Sequence, residues 1–203
     1  ININFVRKLL PGSERLLCLN EKNGKVLWSN EWDCSYTTVA AYAIGPRVTP
    51  SIDDSRVYAL GAEGDLFCNN ANDGKVLWSK SFKKDYNLKM PEWGVSAHPL
   101  IYEDKLISHA TDGMLFALNP ATGRLIWEAA MIDYQSGQQP SGAPVAFGGS
   151  IVVPYNCTAW TAPDPCHLSA YSTEDGSLLW RWLTSPTPND PMPVSYTHLT
   201  LPT

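Results

Sequence analysis

The chain has 203 residues, of which 44% are hydrophobic and 17% charged, and its formal net charge is −5. This is the composition of an ordinary globular protein with enough apolar residues for a sizeable core. A nucleic-acid surface needs a basic face to neutralise phosphates, and the acidic balance without a run of lysine or arginine disfavours that class. No stretch approaches the roughly 20 apolar residues of a membrane-spanning helix.

Four imperfect copies of one short stretch organise the chain. In each copy a tryptophan follows a turn glycine by four residues, and the copies recur roughly every 50 residues. The glycines are Gly24, Gly74, Gly123 and Gly176, and the tryptophans are Trp28, Trp78, Trp127 and Trp180. In β-patterned sequence, a period of this size predicts the blades of a β-propeller.

In chain order, the sequence predicts half a blade followed by three four-stranded blades. The half blade covers about 15–32, after a turn at 11–13, and the full blades cover about 47–82, 97–130 and 143–183. The first strand of each full blade is predicted at 47–51, 97–102 and 143–147. Pro50, Pro99 and Pro144 fall in these strands, and a residue that cannot donate to a ladder fits a strand start or an inner edge.

Each copy has the physical character of a β-hairpin. Its turn ends in Asn-Gly, Asp-Gly or Thr-Gly, as expected for a type I turn closed by a bulge residue with positive φ, which favours glycine. The tryptophan then takes the same place in every hairpin. One hairpin cannot bury an indole alone, so we expect each indole to fill the gap between neighbouring blades.

The pattern small-x-Asp-x-x-x-Gly-x-x-x-Trp resembles the tryptophan-docking repeat of the pyrroloquinoline-quinone (PQQ)-like β-propellers. This superfamily contains the quinoprotein alcohol dehydrogenases and the outer-membrane-assembly lipoprotein propeller, and the resemblance covers about residues 15–182. The chain departs from the pattern by having Asn20, Asn70, Asn119 and Ser172 where Asp is usual, which keeps a short hydrogen-bonding group but removes the charge.

The resemblance implies an all-β fold, a partial β-propeller of four-stranded antiparallel blades. Because such propellers normally have seven or eight blades and the chain begins without Met, we expect residues 1–193 to be a fragment of a larger ring. Residues 194–203 resemble the translated read-through of a sequencing-library adaptor. We expect this tail, which includes His198, to be non-native; the alternative is a disordered natural tail.

The resemblance leaves two functions open. The first is a non-catalytic propeller that acts as a protein- or ligand-binding scaffold and is periplasmic, outer-membrane-associated or secreted. The second is a fragment of a PQQ-dependent alcohol or sugar dehydrogenase, a class that uses calcium and a disulfide between adjacent cysteines. The sequence has no adjacent cysteine pair. We therefore expect no catalytic, metal or cofactor-binding residue, with PQQ and calcium as cofactors only under the second function.

Long connections between blades carry the candidate binding residues. The connections near 33–46, 83–96 and 131–142 contain Tyr36, Tyr86, Trp93 and Tyr134. Aromatic residues with polar neighbours on loops of one face make good binding surfaces. The alternative is that these rings fill the central channel, and the sequence does not decide between them.

The five cysteines have different expected roles. Cys18 and Cys68 occupy the small-residue slot of the repeat and are predicted to be buried. Cys157 and Cys166 bound an insert, and a disulfide between them would suit an exported protein; the alternative is two unpaired thiols. Cys34 is left without an assigned role. His98 and His109 are expected to be core or channel histidines.

Overall fold

The computed structural model describes residues 12–36, 45–88, 94–110, 112–132, 138–140, 142–157 and 166–184. In these residues the chain forms four antiparallel sheets and one short helix. The first sheet contains β1 (Gly12–Leu19) and β2 (Val26–Cys34). The second contains β3 (Ser51–Asp53), β4 (Arg56–Leu60), β5 (Asp65–Asn70) and β6 (Val76–Ser81). The helix, α1, is Phe82–Asp85.

The remaining strands form two further sheets. The third sheet contains β7 (Leu100–Tyr102), β8 (Lys105–His109), β9 (Met114–Leu118) and β10 (Leu125–Ala130). The fourth contains β12 (Val145–Phe147), β13 (Ser150–Cys157), β14 (His167–Ser172) and β15 (Leu178–Leu183), while β11 (Gln138–Pro140) pairs with the far end of β13. Consecutive strands are neighbours in each sheet, which confirms the predicted fold class of four-stranded antiparallel blades.

Several strand bounds differ from those predicted. The first strands of the three full sheets begin at Ser51, Leu100 and Val145, each directly after the proline that was predicted to lie inside the strand. Proline lacks the N–H needed for the ladder, so pairing begins only after it. The predicted turn at 11–13 is also wrong for Gly12 and Ser13, which belong to β1 and pair with the end of β2.

Two elements in the connections were not predicted. Phe82 is fully buried and begins α1, where the backbone N–H of Ser81 donates to Asp85 Oδ2 at 2.7 Å. In the connection near 131–142, β11 pairs with residues of β13 that extend beyond the partner strand β12. Both elements depend on contacts outside the connection itself, and periodicity within it does not reveal them.

The repeated turns share one hydrogen-bond pattern. The side-chain oxygens of Asn20, Asn70, Asn119 and Ser172 each accept from the backbone N–H two residues further on, at 2.8–3.1 Å. The four turn glycines have φ between 67° and 74°, and the strand register shifts beside each turn. Asparagine and serine therefore supply the turn's hydrogen bond without the charge of the usual aspartate.

Three of the four tryptophans dock on the turn of the following sheet. A Cβ placed on Gly74 would lie 2.6 Å from the ring of Trp28, one on Gly123 would lie 2.7 Å from Trp78, and one on Gly176 would lie 2.7 Å from Trp127. The indole N–H of each tryptophan donates to the carbonyl three residues before that glycine, at 2.8–3.0 Å; the acceptors are Ala71, Pro120 and Thr173. The expected interblade position is thus present at these three interfaces.

Within the described residues, the first and last copies of the repeat each make only one half of this contact: the last tryptophan has no glycine turn to dock on, and the first glycine turn receives no tryptophan. Trp180 is 43% exposed in β15, whereas Trp127 is only 9% exposed. At the other end, a Cβ on Gly24 would have no atom within 4 Å. The core accordingly lies between sheets, in one cluster between the second and third sheets and another between the third and fourth.

His109 ties the third sheet to the connection that follows it. It is almost fully buried at the end of β8, and its Nε2–H donates to the carbonyl of Gly142 at 2.8 Å. Burial lowers the pKa of His109, since the charged imidazolium would lose its hydration. The folded chain therefore holds this side chain neutral, as expected for a core histidine.

The docking geometry predicts unequal costs for identical substitutions. Trp127→Ala should lower the free energy of unfolding by about 3–5 kcal/mol, because it removes a buried ring and leaves the Thr173 carbonyl without its donor. Trp180→Ala should cost about 1 kcal/mol or less, as for other exposed positions. Urea denaturation followed by circular dichroism measures both.

A pair of glycine substitutions provides the matched control. Gly24 and Gly123 have nearly the same φ, 69° and 67°, so Gly24→Ala and Gly123→Ala carry the same backbone strain. Only the second methyl group meets a docked indole, which should add about 1–3 kcal/mol of overpacking. Equal losses in both pairs of variants would show that docking does not hold the sheets together.

The buried histidine predicts a pH dependence with a definite sign. Below about pH 6.5 the unfolded chain binds a proton at His109 that the folded chain does not, so the free energy of unfolding should fall with decreasing pH. The slope should be shallower in His109→Gln by up to about 1.4 kcal/mol per pH unit. His98→Gln, at an exposed residue, is the control for the substitution itself. An unchanged slope in His109→Gln would contradict the assignment.

Candidate binding site

Tyr36 does not belong to an exposed binding surface. It is 5% exposed, and its hydroxyl donates to Glu14 Oε1 at 3.2 Å. Glu14, itself 2% exposed, also accepts from Trp32 Nε1 at 3.0 Å and from the backbone N–H of Ala62 at 3.1 Å. Burial raises the pKa of the Tyr36 hydroxyl, which stays a neutral donor. In this fold the Tyr36 ring is buried where the first two sheets meet, which fits the alternative that it is a filling residue and not an exposed binding residue.

Tyr86 is half-buried between the second and third sheets. Its ring stacks on Phe116, with centroids 5.4 Å apart and planes 20° apart, and it meets Phe82 edge-on at 6.1 Å. Most of the Tyr86 ring is thus buried, as expected if these aromatic rings fill the interior and do not form a binding surface. Part of the ring also lines a cavity between the second and third sheets. Trp93 and Tyr134 lie outside the described residues, and their binding role stays a prediction.

Of the cysteine side chains that the structure describes, three are free and one is bonded, and Cys18, which was predicted to be buried, is only partly buried. Cys18, Cys34 and Cys68 are free thiols, and burial raises the pKa of Cys34 and of Cys68 to about 11. A thiol in such surroundings is protonated at neutral pH and is a poor nucleophile. Cys166 is disulfide-bonded. The side chain of Cys157 lies outside the described residues, so the pairing of Cys157 with Cys166 stays a prediction.

The sheets have two distinct ends. Because consecutive strands alternate in direction, the turns at 61–64 and 110–113 lie at the same end as α1 and the long connections. We call this end the connection face. The repeated glycine turns, among them Thr122–Gly123 and Glu174–Gly176, lie at the opposite end. Of the candidate binding residues, the two that the structure describes, Tyr36 and Tyr86, lie at the connection face.

A cavity of about 200 Å³ opens at the connection face between the second and third sheets. Its walls are largely apolar, and Asp112 and Glu128 add two carboxylates. The lining residues are Phe82, Tyr86, Leu88, Ala110, Asp112, Met114, Phe116 and Glu128. Aromatic rings beside carboxylates favour a ligand that is both apolar and positively charged.

Asp112 is the polar group most affected by this environment. Its Oδ1 accepts from the backbone N–H of Met114 at 3.2 Å, which fixes the carboxylate in its turn. Burial raises the pKa of Asp112, because the ionised form is partly withdrawn from water. In the sequence, Asp112 and Gly113 have the pattern of an ordinary turn, and the one signal of a site is an acid at this place in consecutive blades.

The described residues offer few other features of a reactive site. No group of three or more His, Cys, Asp and Glu side chains in them could hold a metal ion. None of their helices could span a bilayer. The buried acids at 14 and 63 and the buried histidine at 109 are occupied with structural hydrogen bonds or an ion pair.

The chain matches known proteins along most of its length. The family model described as outer membrane protein assembly factor BamB matches residues 12–195. A quinohemoprotein alcohol dehydrogenase of Comamonas testosteroni is 30% identical over 87 residues, which are 42% of this chain and 12% of the relative. The quinohemoprotein alcohol dehydrogenase ADH IIB of Pseudomonas putida is 30% identical over 98 residues, or 48% and 14%. The chain thus spans about one eighth of the length of these relatives.

Solved structures share the fold. The Comamonas testosteroni enzyme superposes with a TM-score of 0.59 and 24% identity, over 70% of this chain and 21% of that one. BamB of Moraxella catarrhalis superposes with a TM-score of 0.53 and 20% identity, over 79% and 40%. Both have the PQQ-like β-propeller fold, which confirms the resemblance seen in the repeats. With a family model that matches nearly the whole chain and repeats that dock as in a propeller, the chain belongs to the PQQ-like β-propeller family described as outer membrane protein assembly factor BamB.

Proposed function

We propose that the chain is a non-catalytic sector of a PQQ-like propeller that binds a protein or small ligand at its connection face, within a larger envelope or secreted protein. The cavity between the second and third sheets carries this proposal. It is open at the connection face and combines aromatic walls with carboxylates, as binding pockets do. The opposite face is built from tight glycine turns that offer little area.

The hydrogen bonds and pKa shifts of buried polar side chains support a binding role over a catalytic one. The buried carboxylate of Glu14 accepts three hydrogen bonds from the two sheets it joins. Burial raises the pKa of the Cys34 and Cys68 thiols. These carboxylate and thiol groups, which could otherwise take part in nucleophilic or acid–base chemistry, are thus occupied with packing and structural bonds.

A second candidate function is a sector of a PQQ-dependent dehydrogenase. The 30% identity to two quinohemoprotein alcohol dehydrogenases favours it. We keep it second because the sequence has no adjacent cysteine pair. We derive no reaction step from it.

Titration with PQQ and calcium chloride distinguishes the two functions. The protein, in the full-length form in which it is encoded, should show no stoichiometric change in quinone absorbance or heat of binding. Tight one-to-one binding of PQQ would overturn the non-catalytic proposal in favour of the dehydrogenase.

Site-specific photo-crosslinking tests the binding face itself. A photoreactive amino acid at residue 128, which lines the cavity, should form adducts in the native cell envelope or secreted fraction. The same amino acid at Glu174, on the opposite face and also exposed, is the matched control and should form few. Equal labelling at the two positions, or labelling at residue 174 alone, would contradict binding at the connection face.

A further inference from the structure

Two neighbouring blades carry a carboxylate at the same place on the connection face. Glu63 precedes Gly64 in the second sheet, and Asp112 precedes Gly113 in the third. The carbonyls of these glycines accept equivalent backbone hydrogen bonds, from Phe82 N–H at 2.9 Å and from Met131 N–H at 2.7 Å. The two turns are therefore structural counterparts, and so are the residues that follow Phe82 and Met131.

The counterparts differ in how the carboxylate is neutralised. In the second sheet, Lys83 follows Phe82 and forms an ion pair with Glu63, whose side chain is only 5% exposed. In the third sheet the corresponding residue is Ile132, whose side chain packs against Gly113. Within the part of the chain that the structure describes, no lysine or arginine forms an ion pair with Asp112.

Asp112 instead lies at the cavity. Both charged residues that line it, Asp112 and Glu128, are acidic, and the rings of Tyr86 and Phe116 lie alongside. A half-buried carboxylate is unfavourable unless a positive charge compensates it, and a cation in the cavity would stabilise Asp112 through charge-assisted hydrogen bonds. The aromatic faces would attract the same cation.

We propose that this cavity binds an alkylammonium group, whose charge takes the place that Lys83 occupies in the neighbouring blade. The ammonium group donates to Asp112, with Glu128 supplying further negative charge. The alkyl stem packs against the apolar wall formed by Leu88, Met114 and the aromatic rings, as the stem of a lysine side chain does elsewhere.

The inference rests on the proposed function only for the biological origin of the alkylammonium group. An alkylammonium group could come from a lysine side chain of a protein partner or from a free amine. The chemistry at the cavity is the same in both cases, and the test below uses small probes, so its result does not depend on which partner the connection face binds.

The test is a titration of the full-length protein, labelled with ¹³C at the methionine methyl groups, with n-butylammonium chloride. The Met114 methyl signal, assigned with Met114→Leu, should shift and saturate. Asp112→Asn should weaken binding at least about tenfold, since it removes the charge but keeps the oxygen that caps Met114 N–H. Ile132→Lys should weaken it similarly by supplying an internal ammonium.

Matched controls separate charge from hydrophobicity. Asp104→Asn, which removes an exposed acid of the same sheet, should leave the affinity unchanged. Neutral 1-pentanol, of similar shape, should not saturate the Met114 shift at the same concentrations. Comparable binding of 1-pentanol, or unchanged affinity in both Asp112→Asn and Ile132→Lys, would overturn the proposal.

A blocked Gly-Lys-Gly peptide identifies the source. Tighter binding of the peptide than of n-butylammonium supports the ammonium site and assigns it to a protein partner, whereas weaker binding supports the site and assigns it to a free amine. Failure of both probes would overturn the ammonium site while leaving the crosslinking result at residue 128, and hence the binding face, intact.

Discussion

The structure depends on one interaction, the docking of an indole ring on a glycine turn of the next sheet. A four-stranded sheet of this size cannot bury a tryptophan by itself, and the ring finds its burial only against a neighbour. The receiving turn needs glycine for two reasons: its φ is positive, and a methyl group at this position would overlap the indole ring. The hydrogen bond from the indole N–H fixes the ring at a defined carbonyl, so packing and register are set together.

The grooves between docked sheets give rise to the candidate site. Docking occurs at the end of the sheets that carries the glycine turns, while the other end is free to vary. At that end the first groove holds Tyr36 on Glu14 and Lys83 on Glu63, and a cavity of about 120 Å³ remains beside Glu14. The second groove has a larger cavity, of about 200 Å³, beside Asp112. Neighbouring blades thus differ in the side chains that line the groove between them.

Sequence reasoning succeeded where the signal is local and repeated. The turn glycines, the tryptophans and the asparagines at the aspartate place follow from chemistry within a dozen residues, and the structure shows each of them in the expected turn. It failed where the partner of a side chain is distant in the sequence. The burial of Tyr36 depends on Glu14, and that of Tyr86 on Phe116, neither of which is near in sequence. An exposed loop aromatic and a buried one look alike until the partner is known. Likewise, the difference between Asp112 and the ion-paired Glu63 follows from Ile132 standing where the preceding blade has Lys83, and it is visible only once the two turns are superposed.

The docking tryptophan and the glycine turn that receives it belong to successive sheets, and this arrangement affects how such chains gain or lose repeats. Each repeat donates an indole in one direction and presents a glycine turn in the other, so every repeat is at once a complete donor and a complete acceptor. Duplication of a single unit of roughly 50 residues therefore creates a compatible interface on both sides without any further mutation. A deletion of one unit rejoins two compatible surfaces in the same way. The interaction that stabilises the sheets thereby also makes the number of blades free to vary, and leaves the connection face of each new copy available to diverge.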